Sequence, residues 1–174
     1  MKKDSLVIYK SKYGTTKQYA LWIAQELDAN AKNCDNITIK DLEGYDKIIF
    51  MGSLNNMHVR GITFITDYLN EIKAKEIFII GVGVCDCNKD DIKSIIEKTL
   101  NKNNKNKLKY LYLKGALDPS NLHLKDKTLM YFYKKTIEAK KHPKKNEIEF
   151  LDCIKDPKNW VSKENIIPLL DELR

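Results

Sequence analysis

Leu6-Val7-Ile8-Tyr9-Lys10-Ser11-Lys12-Tyr13-Gly14-Thr15-Thr16 sets the fold class of this chain. An apolar run ends in a hydroxyl-rich turn around Gly14. Tyr19, Ala20, Ile23, Ala24 and Leu27 then recur at helical spacing. That order predicts a strand over 5–10, a tight turn and a helix over 15–28. Ser11, Thr15, Thr16 and the local N–H groups, with those of Lys12, Tyr13 and Gly14, would lie under the partial positive charge of a helix start, which suits a phosphate. Gly14 lets the backbone come close to a ligand or take positive φ. An ordinary helix-capping turn uses the same residue types, so these six residues alone leave both readings open.

Working outward, the remaining chain alternates strands with helices. Ile37-Thr38-Ile39 is a short strand candidate after a polar stretch over 30–36. Lys47 to Gly52 and Glu76 to Val84 are near-continuous apolar runs, as expected of strands buried on both faces. Between them a loop over 53–60 precedes a helix carrying Ile62, Ile65, Tyr68, Leu69 and Ile72. A loop over 85–89 precedes a helix carrying Ile92, Ile95, Ile96 and Leu100, and 101–106 is a low-complexity Asn/Lys loop. Leu108 to Leu113 closes a set of five strands. The pattern predicts an α/β doubly wound parallel sheet of five strands, order 2-1-3-4-5, in a single domain over 1–174. Residues 114–159 are additional to that plan. They hold a turn-rich link and a basic helix over 124–141 whose apolar side would be Leu124, Leu129, Met130, Tyr133 and Ile137. A closing helix spans about 163–173, with Trp160 as an anchor before it; Trp22 reads as a packing residue of the first helix.

Composition narrows the function classes. At 174 residues and 43% apolar content the chain can bury a sizeable core. It holds no apolar run near the ~20 residues of a membrane span, and its first residues lack a signal-peptide pattern, so a cytoplasmic location is expected. Cys34, Cys85, Cys87 and Cys153 lack the spacing of a zinc or Cys-x-x-Cys site, which favours free thiols and no metal. The net charge of +7 is concentrated: residues 125–146 hold eight lysines against Asp126 and Glu138. Twenty-nine of the 31 basic residues are Lys, and no nucleic-acid-binding motif accompanies them, so nucleic acid is an unlikely partner. With Tyr131, Phe132 and Tyr133 on the same helix, the segment 125–146 suits an anionic membrane surface at the inner membrane face, an acidic partner, or plain solvent.

Ligands of open parallel sheets sit beyond the carboxyl ends of the strands, where loops 11–16, 53–60 and 83–89 would gather. Neither a P-loop nor a Gly-x-Gly-x-x-Gly stretch is present, which favours a mononucleotide phosphate. Tyr9 to Ala20 resembles the FMN-phosphate loop of the flavodoxin family, and is most similar to the branch with flavodoxin-type, menaquinone-dependent protoporphyrinogen oxidases. Met51-Gly52-Ser53 and Gly81-Val82-Gly83 resemble the starts of that family's second and third flavin loops. Gly115 to Leu122 resembles a segment of the same branch, which carries an insertion where the Lys-rich helix lies here.

The resemblance implies a flavodoxin-like fold and non-covalent FMN. Its phosphate would rest on Ser11, Lys12, Tyr13, Gly14, Thr15 and Thr16. Its ring would lie against Ser53, Leu54, Asn55, Asn56, Met57 and His58 on one side and Gly83, Val84, Cys85, Asp86 and Cys87 on the other. Neither ring loop contains the aromatic that many flavodoxins place there, which leaves Leu54, Met57 or His58, or a group from elsewhere. The second loop carries His58 and Arg60 rather than carboxylates, which would favour the fully reduced anion of the flavin. The resemblance implies one of two roles, with no catalytic residue singled out. One is an oxidoreductase passing electrons from a small molecule to a quinone. The other is an electron carrier between protein partners. An interaction module with a decayed flavin site is a lesser alternative.

Overall fold

The computed structural model describes residues 3–55, 58–88, 90–92, 94–95 and 108–174. The expected flavin contacts Asn56 and Met57, the far half of the helix predicted through Leu100 and the 101–106 loop lie outside them. Five parallel strands form the sheet: β1 (Lys3–Lys10), β2 (Asn30–Asn33), β3 (Tyr45–Asn55), β5 (Glu76–Gly83) and β6 (Leu108–Lys114). Their order is β2-β1-β3-β5-β6, the predicted doubly wound order. A short strand β4 (His58–Val59) pairs antiparallel with the end of β3.

Alternation along the strands divides the core in two. Leu6, Ile8, Ile48, Phe50, Ile77 and Ile79 face one side, under Leu42, Ile62, Ile65, Leu69 and Ile95. Val7, Ile49, Met51, Phe78 and Ile80 face the other. There α1 (Thr15–Glu26) brings Tyr19, Ala20, Ile23 and Ala24, and a closing helix brings Leu170 and Leu173. Both faces of the central strands are thus covered, which is why they read as unbroken apolar runs. Trp22 packs edge-on against Tyr19, with ring centroids 5.7 Å apart.

Three local expectations are corrected. The second strand is Asn30–Asn33, not Ile37-Thr38-Ile39. After α1 the chain turns within Leu27-Asp28-Ala29, with Asp28 at φ 49° and the Ala29 N–H donating to the Ala24 carbonyl at 2.8 Å. It pairs with β1 at once, Leu6 opposite Asn30. Ile37 and Ile39 instead pack against the core from the short turns around them. The helix predicted over 62–72 is one turn, α2 (Thr63–Thr66). Ile62, Ile65 and Leu69 are still buried, because successive tight turns, Ile65 N–H to Ile62 C=O and Glu71 N–H to Tyr68 C=O, present the same apolar spacing. The loop expected over 53–60 is largely the β3–β4 hairpin.

The segment after β6 is richer than one helix. β7 (Ala116–Leu117) pairs antiparallel with β8 (Lys158–Asn159). Between them lie α3 (Leu124–Glu138) and α4 (Lys145–Cys153), and α5 (Ile167–Leu173) closes the chain. The expected apolar side of α3 is only partly inward. Ile137 is its buried residue and Met130 and Tyr133 are half-buried, whereas Leu124 and Leu129 are 81% and 60% exposed. A single apolar stripe cannot distinguish inward from outward when both sides of a helix carry large side chains.

Candidate functional site

Strand register brings the loops to one edge. Lys10 pairs with Gly52, Ser53 with Val82, and Gly83 with Lys114. The chain segments that follow therefore leave the sheet side by side. At 11–16 the turn enters α1 through Gly14, at φ 96° with open space where a side chain would be. The Gly14 N–H donates to Ser11 Oγ at 3.2 Å, which closes the turn. No acidic side chain lies in the first turn of α1, and no side chain caps it. Its N–H groups therefore keep their partial positive charge for an incoming anion. Thr16 is buried, Ser11 and Thr15 half-buried, and Lys12, Tyr13 and Gly14 exposed.

The second element is built by a fold-back. Arg60 N–H donates to the Ser53 carbonyl at 2.9 Å, and Asn55 stands opposite His58. A Cβ on Gly52 would meet the Arg60 carbonyl at 2.4 Å, so only glycine admits the returning strand. Leu54 packs against the core, while His58 and Arg60 are exposed.

The third element, after Gly83, is braced from behind. Tyr112 on β6 donates to the Cys85 carbonyl, and its ring lies so close that a Cβ on Gly83 would meet Tyr112 Cε2 at 3.1 Å. A strand aromatic thus holds the third loop in place from the sheet side. Val84, Cys85 and Cys87 are half-buried and Asp86 exposed. Burial pushes the Cys85 thiol up to about 12 and the Cys87 thiol up to about 11, and it raises the Tyr112 phenol as well. These thiols stay protonated near neutrality and are poor nucleophiles.

A flavodoxin-domain family model matches residues 6–145. The chain belongs to the flavodoxin domain family. None of the curated proteins matches it in sequence. Among solved structures it is similar to the flavodoxin, WrbA-like protein of Agrobacterium tumefaciens, with 14% identity, 65% of this chain and 82% of that one covered and a TM-score of 0.47. It is similar to a flavoprotein in complex with FMN from Lactobacillus acidophilus NCFM, at 15% identity, 64% and 92% coverage and a TM-score of 0.46. It is also similar to oxidised Flavodoxin 2 from Bacillus cereus, at 16% identity, 86% and 98% coverage and a TM-score of 0.45.

In this flavodoxin domain the additional segment touches two of the three loops. At the start of α3, Asp126 pairs with Lys12 at 2.5 Å and accepts from the Tyr13 hydroxyl. The His123 N–H donates to Tyr13 Oη at 3.2 Å, and the two rings lie 5.6 Å apart. Lys12 and Tyr13 as hydrogen-bond partners hold the Asp126 carboxyl below its ordinary range. From α4, Glu149 accepts from the Asp86 N–H and pairs with Lys114, each at 2.7 Å. Lys114 also pairs with Asp86 at 2.7 Å and sits over the Trp160 ring at 4.4 Å. Lys114 as a hydrogen-bond and charge partner depresses the Asp86 carboxyl. Behind these groups Tyr19 donates to the Lys114 carbonyl at 2.7 Å and accepts from Asn165 at 2.8 Å, while Trp160 takes its place just before the closing helix through Asn165. Sequence patterning did not single out Tyr112, Lys114, His123, Asp126 or Glu149 as site residues. The Lys-rich stretch hides Asp126, Glu149 falls just past it with no pattern of its own, and the Tyr110/Tyr112 alternation marks a strand face without showing what it touches.

Proposed function

We propose that this flavodoxin domain binds FMN and works as an oxidoreductase between a small reduced molecule and a quinone or similar acceptor. FMN, once bound, supplies the electron chemistry; the chain supplies binding and charge. The residues present fit such a cofactor. The uncapped start of α1 and the open space at Gly14 suit its phosphate, and its ring would lie between the β3–β4 pair and the 83–87 turn. Ser11, Thr15 and Thr16 would hold the phosphate with the N–H groups of Lys12 and Tyr13, and with that of Gly14 in place of its bond to Ser11 Oγ.

The observation that carries the enzyme reading is the charge of the ring loops. Asp86, the acid of the third loop, shares Lys114 with Glu149, each pair at 2.7 Å, and the hairpin adds the Arg60 cation and His58. With these two carboxylates set against two cations, the ring loops lack the net negative charge that would disfavour an anionic reduced ring, as suits a flavin that takes a pair of electrons from a substrate. An acid-lined carrier would disfavour that anion. Protoporphyrinogen, which the sequence resemblance suggests, is the first substrate to try.

Titrating the purified chain with FMN should quench flavin fluorescence with a one-to-one endpoint; no binding would leave an interaction module. With FMN loaded, protoporphyrinogen and a menaquinone analogue should give porphyrin fluorescence rising above autoxidation. Turnover only with reduced protein partners would instead make the chain an electron carrier.

A further inference from the structure

We infer that α3 docks the protein on an anionic lipid bilayer through its outward face, an inference independent of what the flavin site does. The helix has two sides of opposite fate. Asp126, Met130, Tyr133 and Ile137, spaced i, i+4, i+7 and i+11, turn inward and are partly or fully buried. On the opposite side Leu124, Thr128, Tyr131 and Phe132, spaced i, i+4, i+7 and i+8, turn away from the domain. Leu124 is 81% exposed and Phe132 62%. Tyr131 and Phe132 touch each other edge to face at 5.9 Å, so the pair forms one apolar ridge.

Large apolar side chains collected on the outer side of a surface helix call for a partner. The charge around them says which. Lys125 and Lys127 border the ridge, as does Lys135, which pairs with Glu138; beyond the helix end Lys141, Lys144 and Lys145 continue the margin, with Lys140 paired to Glu147. Lysine stems can lie along apolar surface while their ammonium groups reach phosphate headgroups. The ridge is convex, not a groove, and residues 124–146 contain no arginine, the residue suited to bidentate pairing with a protein carboxylate. A helix with an aromatic–aliphatic ridge and a lysine margin lies in the interface plane, its apolar side ~5–10 Å into the headgroup boundary. Each lysine near an anionic leaflet adds to the attraction and is screened by salt. Among the described residues no helix is long and apolar enough to cross a membrane, so the contact would be peripheral.

The test is co-sedimentation of the full chain with equimolar phosphatidylglycerol–phosphatidylcholine vesicles and with pure phosphatidylcholine vesicles. The chain should partition to the anionic vesicles and be released by high salt. The double variant Leu124→Ser/Phe132→Ser should lose ~10-fold or more of that binding, with an unchanged thermal midpoint, since both side chains are exposed. Equal partitioning to both vesicles, or an unaffected double variant, overturns the inference. A dimer dispersed by the double variant would assign the ridge to a second copy. Polyglutamate binding without vesicle preference would assign it to an acidic protein. Either result also overturns it.

Discussion

The sheet and the segment that follows it are held by different forces. The central strands are packed on both faces by apolar side chains, Leu6, Ile8, Phe50 and Ile79 among them with no exposed surface. The additional segment, by contrast, has few buried side chains: Ile137 on α3, and Glu147 and Cys153 on α4. It reaches the loops through charged and polar groups, Asp126 on Lys12 and Tyr13, and Glu149 on Lys114 and the Asp86 N–H. The Tyr133–Phe150 contact, at 5.1 Å, joins its two helices to each other. Apolar burial does not depend on the protonation of carboxylates and is little screened by salt; carboxylate–lysine pairs respond to both. The loops proposed to hold FMN thus spring from a densely packed sheet on one side and are latched electrostatically on the other.

The contrast can be broken most severely from the core. Phe50→Ala should cost about 3–5 kcal/mol and unfold both regions together in a denaturant titration. An effect confined to one region would mean that the sheet does not underlie the segment. Next in size, Glu149→Ala removes the acceptor of the exposed Asp86 N–H and one partner of Lys114. We expect a loss of about 0.5–1.5 kcal/mol, seen as faster amide exchange over 84–88 and 145–153 with the central strands unaffected. Equal acceleration in β3 and β5 would make sheet and segment one cooperative unit. The smallest effect is that of Asp126→Asn, below about 1 kcal/mol for a pair still partly open to solvent. The same latch should respond to pH. The Asp126 and Asp86 carboxyls are depressed below their ordinary 3.8, so their contribution is complete above that value and lost as pH falls through the lower folded-state range. Acidification should loosen residues 119–153 before the sheet, followed by histidine and tyrosine NMR signals. Simultaneous loss of both would contradict the comparison.

The same division governs how much could be read from the residues. β3 and β5 were legible because strands buried on two faces need unbroken apolar runs, and the turn at Gly14 because a strand, a glycine with hydroxyls and a helix occur in order. β2 was not: an edge strand reading Asn-Ala-Lys-Asn needs no apolar alternation, and Ile37 and Ile39 drew attention to the wrong place. The β3–β4 hairpin was hidden because its pairing depends on Gly52 leaving room for the Arg60 carbonyl, a contact between distant atoms. The phosphate loop could be proposed from local residues. Its tie to Asp126 spans more than a hundred positions and leaves no local pattern.

Gly115 holds a further consequence. Its N–H donates to the Gly83 carbonyl at 2.6 Å, and its carbonyl accepts from Trp160 at 3.1 Å. A Cβ there would meet Val82 Cγ1 at 2.9 Å and Thr15 Cγ2 at 3.1 Å. One hydrogen atom is thus the spacer between the start of α1 and the end of β5. The spacing between the proposed phosphate loop and the third loop is gauged at this point, and even a methyl group would lengthen the gauge. Because Trp160 holds the other side of the same residue, the returning chain fixes how closely the start of α1 approaches the end of β5.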